Sequence, residues 1–316
     1  NPSPEAVKLY HFLKENYGKK IISGAVANVN WNTNEAGWVY KHTGKYPALN
    51  AFDYIHLYAS PANWIDYGNT QIVEDWWNNN GIVAAMWHWN VPVNQGSNNY
   101  EFYTGKTSFD ISQAVREGTY ENSVIKADLE KIANYLLLLK QKNIPVVWRP
   151  LHEAAGGWFW WGAKGAQPCK ELWIIMFDFF REKGLNNLIW VWTAEPGDDA
   201  WYPGDEYVDI IGRDMYNKPE ANGMANEYQT LKNRFPNKII ALSECGNVAG
   251  IPAQWNAEAT WSWFMPWYDY DRTKDLSGET FNSEAHQHAS IAFWKNAFAD
   301  DRVISRDEMP SLKNNP

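Results

Sequence analysis

Short runs of β-branched and other apolar residues recur along the chain and alternate with amphipathic stretches. Most of these runs are continuously apolar, without a polar residue at every second position, which is typical of parallel strands covered on both faces. From these runs we predict eight strands, at 20–24, 46–53, 81–89, 144–150, 188–193, 208–214, 238–244 and 259–267.

Two of the intervening stretches are clear helix candidates. Residues 123–143 repeat apolar side chains on one helical face, and residues 168–184 end with basic residues and a glycine. Eight strands alternating with helices in a chain of 316 residues predict a single (β/α)8 TIM barrel with long strand-to-helix loops, forming one domain over 1–316. A doubly wound open sheet is the alternative, but no glycine-rich phosphate loop follows an early strand.

The amino-acid composition limits the classes of ligand that such a barrel could bind. The chain has 20 Trp, 17 Tyr and 13 Phe, more large rings than packing normally needs, and exposed rings suit the apolar faces of sugars or of nucleic-acid bases. A net charge of −9 and a pI near 5.3 would repel a phosphate backbone, so no nucleic-acid partner is expected. No apolar run is long enough for a membrane span, and the first residues do not resemble a signal peptide. The two cysteines, Cys169 and Cys245, are expected to be free buried thiols.

The barrel prediction carries a forecast about function, because active sites in this fold lie at the carboxyl ends of the strands. Titratable and aromatic residues collect at the predicted strand ends. They are His88 and Trp89 after the third strand, Arg149, His152 and Glu153 after the fourth, Asp214 and Tyr216 after the sixth, Glu244 at the end of the seventh, and Trp263 and Trp267 in the eighth.

Two of these residues have the chemistry that cleavage of a glycosidic bond requires. Glu153 and Glu244, on strands four and seven, would face each other across the barrel mouth, where one carboxyl group protonates the leaving oxygen and the other attacks the anomeric carbon. Glu153, beside His152, suits the acid, and Glu244, if close to Arg149 and Tyr216, suits the nucleophile. The structural alternative makes Glu153 a helix cap and Glu244 a buried partner of Arg149.

Two further segments are notable. Residues 90–119 are too polar for a core and too long for a simple connection, so we expect them to line one side of the cleft, with Tyr100, Phe102 and Tyr103 as possible sugar platforms. The pair of histidines at 286 and 288 has metal-ligand residue types, but a spacing of two does not place both rings on one face of the helix expected there. We assign the pair a structural or surface role.

The stretch "WRPLHEAAGGWFWWG" (148–162) resembles the acid/base segment of glycoside hydrolase family 26, and "SECG" (243–246) resembles its nucleophile segment. "HW" at 88–89, "DMY" at 214–216, "YPGD" at 202–205 and "WSWFMPW" at 261–267 fall in the order of that family. One departure is "HEAAGG", in which two alanines replace residues that are often polar in the family.

The resemblance implies a retaining β-mannanase on a (β/α)8 barrel, with Glu153 as acid/base and Glu244 as nucleophile. It further implies that the sugar at the point of cleavage is held by His88, His152, Trp158, Tyr216 and Trp263, although the alternation of strand faces could select Trp261 or Trp267 in place of Trp263. Trp89, Arg149 and Asp214 complete the expected substrate-binding set.

The expected activity is therefore hydrolysis of β-mannan or galactomannan by double displacement, with no metal and no organic cofactor. An exo-acting, mannobiose-releasing enzyme, a relative acting on another β-glycan, and a carbohydrate-binding barrel without catalysis are the alternatives. A polymeric substrate implies a secreted, cell-surface or periplasmic protein of a bacterium, and we expect a monomer.

Overall fold

The computed structural model describes residues 1–28, 31–57 and 65–313. In these ranges the α-helices are α1 (Pro4–Asn16), α2 (Asn34–Thr43), α3 (Gln71–Asn78), α4 (Ile111–Ala114), α5 (Tyr120–Gln141), α6 (Ala166–Glu182), α7 (Ala221–Arg234), α8 (Ile251–Asn256), α9 (Tyr270–Thr273) and α10 (Ile291–Phe298). The strands are β1 (Ile21–Val26), β2 (Leu49–Asp53), β3 (Ile82–Met86), β4 (Val91–Pro92), β5 (Tyr100–Glu101), β6 (Val146–Arg149), β7 (Leu188–Ala194), β8 (Ile210–Lys218), β9 (Ile239–Val248), β10 (Trp263–Pro266) and β11 (Val303–Ile304).

The hydrogen-bonded strand order confirms the predicted (β/α)8 barrel. The main sheet runs β10-β9-β8-β7-β6-β3-β2-β1-β11, and β10 also pairs with β1, which closes a ring of eight strands. All eight predicted strands are present in that ring, and β11 adds beside β1. The fourth barrel strand is therefore β6, and the seventh is β9.

The strand cores are buried along their whole length, as the continuously apolar runs predicted. Every residue of β1, β2, β3 and β6 is buried, because helices cover the outer face of a closed parallel sheet. The strand ends differ from the prediction. β3 stops at Met86, so His88 and Trp89 lie in the following loop, whereas β8 and β9 continue past Tyr216 and Glu244.

The chain groups into two compact units, each built from several segments. The first unit comprises Asn1–Ala6, Asp53–Thr70 and Ala85–Asp209, and the second comprises Val7–Phe52, Gln71–Ala84 and Ile210–Pro316. In the first unit, β6 pairs in parallel with β7, and β4 and β5 form a separate antiparallel pair inside the segment 90–119. In the second unit, β8 pairs with β9, β9 with β10, β10 with β1, and β1 with β2 and β11, all in parallel. The expectation of one domain over 1–316 stays a prediction.

Burial corrects the view that the tryptophans are mainly a binding surface. Most of those described are core residues, including Trp38, Trp148, Trp173 and Trp192, whereas Trp158 is 44% exposed. The abundance of large rings is therefore mainly a packing feature, with a few rings left for a ligand. Cys169 and Cys245 are free and buried, as predicted. Among the described helices, none is long and apolar enough to cross a membrane.

Candidate active site

The loop after β6 holds the backbone in an unusual shape around Glu153. Leu151 and Glu153 both have positive φ angles, 48° and 54°, in the left-handed region that non-glycine residues rarely adopt. Such conformations persist only where the surrounding structure imposes them, and they concentrate at functional sites. The tight turn places His152 inward, almost fully buried, and leaves the Glu153 side chain 17% exposed.

His152 and His88 form a buried pair of imidazoles in the first unit. The ring centroids are 4.6 Å apart in a T-shaped contact. Burial, followed by the neighbouring His88 and Arg149, holds the pKa of His152 well below its usual 6.5. His152 is therefore neutral at neutral pH, and its Nε2, 3.8 Å from Glu153 Oε2, makes a polar contact with that carboxylate that is not a salt bridge.

The orientation of His88 is set by a carboxylate that the sequence analysis missed. Asp53, the last residue of β2, accepts the His88 backbone N–H at Oδ1 (3.0 Å) and contacts His88 Nδ1 through Oδ2 (2.5 Å). With a carboxylate facing Nδ1, that nitrogen carries a proton and donates it to Asp53 Oδ2. An acidic residue ending a predicted strand, as in "NAFD" (50–53), was the available signal.

Three of the four rings in "WFWW" (158–161) form the support of this site. Phe159, Trp160 and Trp161 are buried. Trp160 donates its indole N–H to the Trp89 carbonyl (2.6 Å), and Trp161 donates to the His152 carbonyl (3.0 Å). The aromatic run therefore fixes the loops that follow barrel strands three and four.

Phe159 packs between the histidine pair, His88 and His152, and the segment 90–119. Its ring lies 4.9 Å from that of His152, 5.7 Å from that of His88, and 5.7 Å from that of Tyr103 in a stacked arrangement. Backbone hydrogen bonds join the same segments, since Thr104 N–H donates to the Trp158 carbonyl and Trp160 N–H donates to the Phe102 carbonyl. Tyr103, 42% exposed, keeps an accessible face beside this cluster.

Trp158 is the ring in this run that remains accessible. Its indole lies over Gly156, so closely that a Cβ atom on Gly156 would come within 2.1 Å of indole carbons. The benzene ring of the indole thus rests against bare backbone, while 44% of the side chain stays accessible to solvent or a ligand. This exposure agrees with the prediction from sequence that Trp158 contacts a bound sugar.

Arg149 and Trp89 occupy interior positions. Arg149 is buried, with Nη1 donating to Thr193 Oγ1 (3.2 Å) and Nη2 near Met86 Sδ. Trp89 is 1% exposed, stacks on Trp87 at 4.0 Å, and donates its indole N–H to Asp128 Oδ2 (2.7 Å). The expected substrate contact by Trp89 is therefore corrected, because its ring is enclosed in the core and its polar atom is bound to α5.

In the second unit, Glu244 is held in place by the neighbouring strand. It is 4% exposed and accepts a hydrogen bond at Oε1 from the Tyr216 hydroxyl, at 2.7 Å. Asp214 lies opposite Glu244 in the β8–β9 register and accepts a hydrogen bond from Ser243 Oγ (2.7 Å). Because residues two apart on a strand share a face, Asp214 and Tyr216 both belong to the face that carries the nucleophile candidate.

The three tryptophan candidates of the eighth strand differ in position and burial. Trp263 is the first residue of β10, pairs with Ile22 near the start of β1, and is 3% exposed, while Trp261 is fully buried. Trp267 follows the last residue of β10, donates its backbone N–H to the Cys245 carbonyl (2.9 Å), and is half-buried. The expected role of Trp263 is therefore corrected, since its strand position lies at the amino end, away from the carboxyl-end rim.

Comparison with known proteins identifies close relatives over almost the whole chain. The family model of glycosyl hydrolase family 26 matches residues 1–296. A mannan endo-1,4-beta-mannosidase of Thermothelomyces thermophilus is 37% identical over 98% of this chain. The crystal structure of a GH26 domain from a Prevotella bryantii endo-beta-mannanase/endo-beta-glucanase is 40% identical, with a TM-score of 0.88 over 98% of this chain and 97% of that one.

A second solved structure was determined with a bound sugar. It is a beta-mannanase from a symbiotic protist of the termite Reticulitermes speratus, complexed with a gluco-manno-oligosaccharide, and is 37% identical with a TM-score of 0.83 over 98% of this chain and 96% of that one. The curated relatives are longer than this chain, which spans 62% of the Thermothelomyces protein and 53% and 50% of two mannosidases from Piromyces sp..

Proposed function

The chain belongs to glycosyl hydrolase family 26, and from that membership we propose that it is a retaining endo-β-1,4-mannanase. Its substrates would be β-mannan, galactomannan and manno-oligosaccharides. The observation that carries the proposal is the position of two glutamates, Glu153 in the loop that follows barrel strand four and Glu244 within barrel strand seven, each in a geometry that its neighbours impose. Glu153 lies on a left-handed turn after β6, and Glu244 in β9 accepts a hydrogen bond from the hydroxyl of Tyr216 in β8.

The mechanism proceeds by double displacement. Glu244 attacks the anomeric carbon while Glu153 donates a proton to the departing glycosidic oxygen, and the bond to the leaving sugar breaks. Water then loses a proton to Glu153 and displaces Glu244, which releases the sugar with its original anomeric configuration. Two carboxyl groups placed about 5–5.5 Å apart are what this retaining route requires.

The neighbours have supporting roles. Tyr216 fixes the rotation of the Glu244 carboxyl group by its 2.7 Å hydrogen bond. His88, oriented by Asp53, presents Nε2 to a substrate hydroxyl, and neutral His152 lies beside Glu153 without taking its proton. Arg149 and Asp214 organise the strand ends, while Trp158 and Trp267 offer rings to sugars bordering the scissile bond.

The proposed enzyme works without a metal or an organic cofactor, as a monomer. Because its substrate is a polymer too large to enter a cell, we place its activity outside the cytoplasm, in a secreted, cell-surface or periplasmic setting.

The test is release of reducing sugar from linear β-1,4-mannan. We expect activity in the wild-type chain, its loss in Glu244→Ala, and full activity in a matched control, Glu117→Ala, whose side chain is 82% exposed. Circular dichroism and thermal unfolding would verify that all three proteins fold. Binding of mannan without any product would instead favour the carbohydrate-binding alternative.

The product profile on mannohexaose separates endo from exo action. An endo enzyme would give early products of several lengths, because it cleaves internal linkages. Mannobiose as the only early product would overturn the endo assignment, and activity confined to β-glucan or β-1,3-xylan would overturn the substrate assignment.

A further inference from the structure

The segment from 284 to 289, which contains the two histidines 286 and 288, is irregular and not the helix expected from sequence. It belongs to the second unit and follows barrel strand eight. The two imidazoles therefore have different surroundings, so their roles are considered one at a time. The ring centroids lie 6.1 Å apart.

His286 anchors this segment to helix α2. Its Nε2 lies 3.0 and 3.1 Å from the two carboxylate oxygens of buried Glu35. Its Nδ1 accepts the backbone N–H groups of His288 and Ala289, both at 2.9 Å. Because Nδ1 is an acceptor, Nε2 carries the proton and donates to Glu35. The Gln287 backbone N–H donates to Asp269 Oδ2 (2.9 Å), which ties down the residue between the histidines.

His288 lies directly against the tyrosine that binds the nucleophile candidate. Its ring meets that of Tyr216 in a T-shaped contact with centroids 5.6 Å apart. The His288 carbonyl accepts the Asn247 backbone N–H (2.8 Å), which docks the segment on the end of β9.

Gly246 forms the surface on which both rings rest. A Cβ atom there would lie 2.5 Å from His288 Nδ1 and 2.7 Å from a Tyr216 ring carbon. The glycine in "SECG" is thus required for the close approach of the two rings over the strand. Tyr216 is confined between Gly246, His288 and its hydrogen bond to Glu244.

The state of His288 suits a packing role. Its Nδ1 is buried, and no hydrogen-bond partner for that atom is found among the described residues. Burial, followed by nearby His286, lowers the pKa of His288, against an opposing effect of Asp269. A neutral ring adds no charge next to Glu244 at neutral pH.

We propose that His288 is a positioning residue whose ring holds the Tyr216 hydroxyl against Glu244. It acts on the reaction through Tyr216 and does not touch the substrate. The consequence for catalysis rests on the proposed function, in which Glu244 is the nucleophile. The geometric part of the proposal, that the ring of His288 fixes Tyr216, stands independently of it.

The kinetic test compares wild type with His288→Ala, His288→Phe and His288→Asn on mannotetraose. His288→Ala is expected to lower kcat about ten- to a hundredfold with little change in KM, because a misplaced nucleophile slows the chemical step more than binding. Phe restores a ring edge and should recover most of kcat, whereas Asn restores a polar atom without a ring and should resemble Ala. Equal losses in Phe and Ala, or a raised KM at unchanged kcat, would overturn the proposal.

A double-mutant cycle tests the route through Tyr216. In a Tyr216→Phe background, which lacks the hydroxyl, His288→Ala should cost less than about twofold. If His288→Ala lowers kcat by the same factor in the Tyr216→Phe background as in the wild type, His288 does not act through Tyr216. His42→Ala serves as the matched control, since His42 also makes a T-shaped contact with an aromatic ring, that of Trp38, and has no part in the proposed site.

A crystal structure of His288→Ala gives a readout that needs no activity. We expect the Tyr216 hydroxyl to move away from Glu244 Oε1 and the 2.7 Å contact to be lost. Retention of that contact would refute the positioning role whatever the kinetics. A displaced Tyr216 in a protein whose wild type leaves mannan intact would uphold the positioning role and reject the proposed function.

Discussion

At the scale of single residues, the candidate site contains pairs in which one side chain orients a polar atom of another. Asp53 selects the proton position on His88, and Tyr216 sets the rotation of Glu244. Sequence patterns identify the candidate residues because these follow or end predicted strands. The partners are harder to find, since their value depends on which atom they face.

The two proposed glutamate roles predict different responses to an added nucleophile. With an activated aryl β-mannoside, Glu153→Ala should still form the glycosyl-enzyme, because a good leaving group needs no acid, and azide should speed its turnover to give a β-mannosyl azide. Glu244→Ala should lose activity by about 10⁴-fold or more, and azide should give the α-mannosyl azide. Product anomers read by NMR decide the assignment, and the opposite pattern would exchange the two roles.

Asp53→Asn should damage catalysis while keeping the shape of the side chain. The His88 backbone N–H requires an oxygen at Oδ1, so the amide NH₂ must face Nδ1 and drive the His88 proton to Nε2. We expect kcat/KM to fall about 10- to 100-fold, because the moved proton would disrupt the hydrogen bond proposed between His88 Nε2 and a substrate hydroxyl. Activity within twofold of wild type, measured on mannotetraose, would show that the His88 proton position is unimportant.

At the scale of elements, the loop after β6 and the hairpin of β4 and β5 act as one scaffold. Trp160 and Trp161 bind the carbonyls of Trp89 and His152, and the backbone of 102–104 pairs with that of 158–160. The run of aromatics therefore stabilises the loops and leaves Trp158 as its accessible ring. That ring depends on the bare backbone of Gly156 beneath it.

Gly156→Ala should displace the Trp158 indole, because the added methyl group would lie 2.1 Å from its carbons. If Trp158 borders the sugar as proposed, losing that aromatic contact should lower kcat/KM by about three- to tenfold. Gly105→Ala is the matched control in a neighbouring loop, since a Cβ atom there would meet nothing within 4 Å. Equal activity of the two variants would place Trp158 away from the substrate.

At the scale of the whole molecule, buried neutral histidines make stability depend on pH. Burial is the main cause that lowers the pKa values of His56, His152 and His288 from 6.5. A histidine whose folded pKa is depressed takes up a proton more readily when the chain unfolds, so acid favours unfolding. The stability that these groups contribute is present above about pH 6.5 and is lost as the pH falls below that value.

Unfolding by urea at pH 7.5 and 5.5 would measure this effect. We expect the free energy of unfolding to fall at pH 5.5, by about 1.4 kcal/mol for the fully buried His152 and by less for the partly exposed His56 and His288, whose charges water screens. His152→Gln, which cannot titrate, should show a smaller fall than wild type. The lowered pKa values of the Asp300 and Glu308 carboxyls act only near pH 4 and below, so they leave this comparison unaffected. A pH-independent free energy would contradict the neutral state of His152.

The sequence by itself determined the barrel, its eight strands and the segments that carry both glutamates. Hydrophobic runs report which residues must leave water, and the carboxyl ends of parallel strands are where this fold builds its sites. The tertiary structure decided what depends on direction and distance. It enclosed Trp89, set Trp263 at the amino end of β10, and exposed Trp158 among buried rings. It also joined Asp53 to His88 and His288 to Tyr216, contacts between residues 35 and 72 positions apart that no local pattern encodes.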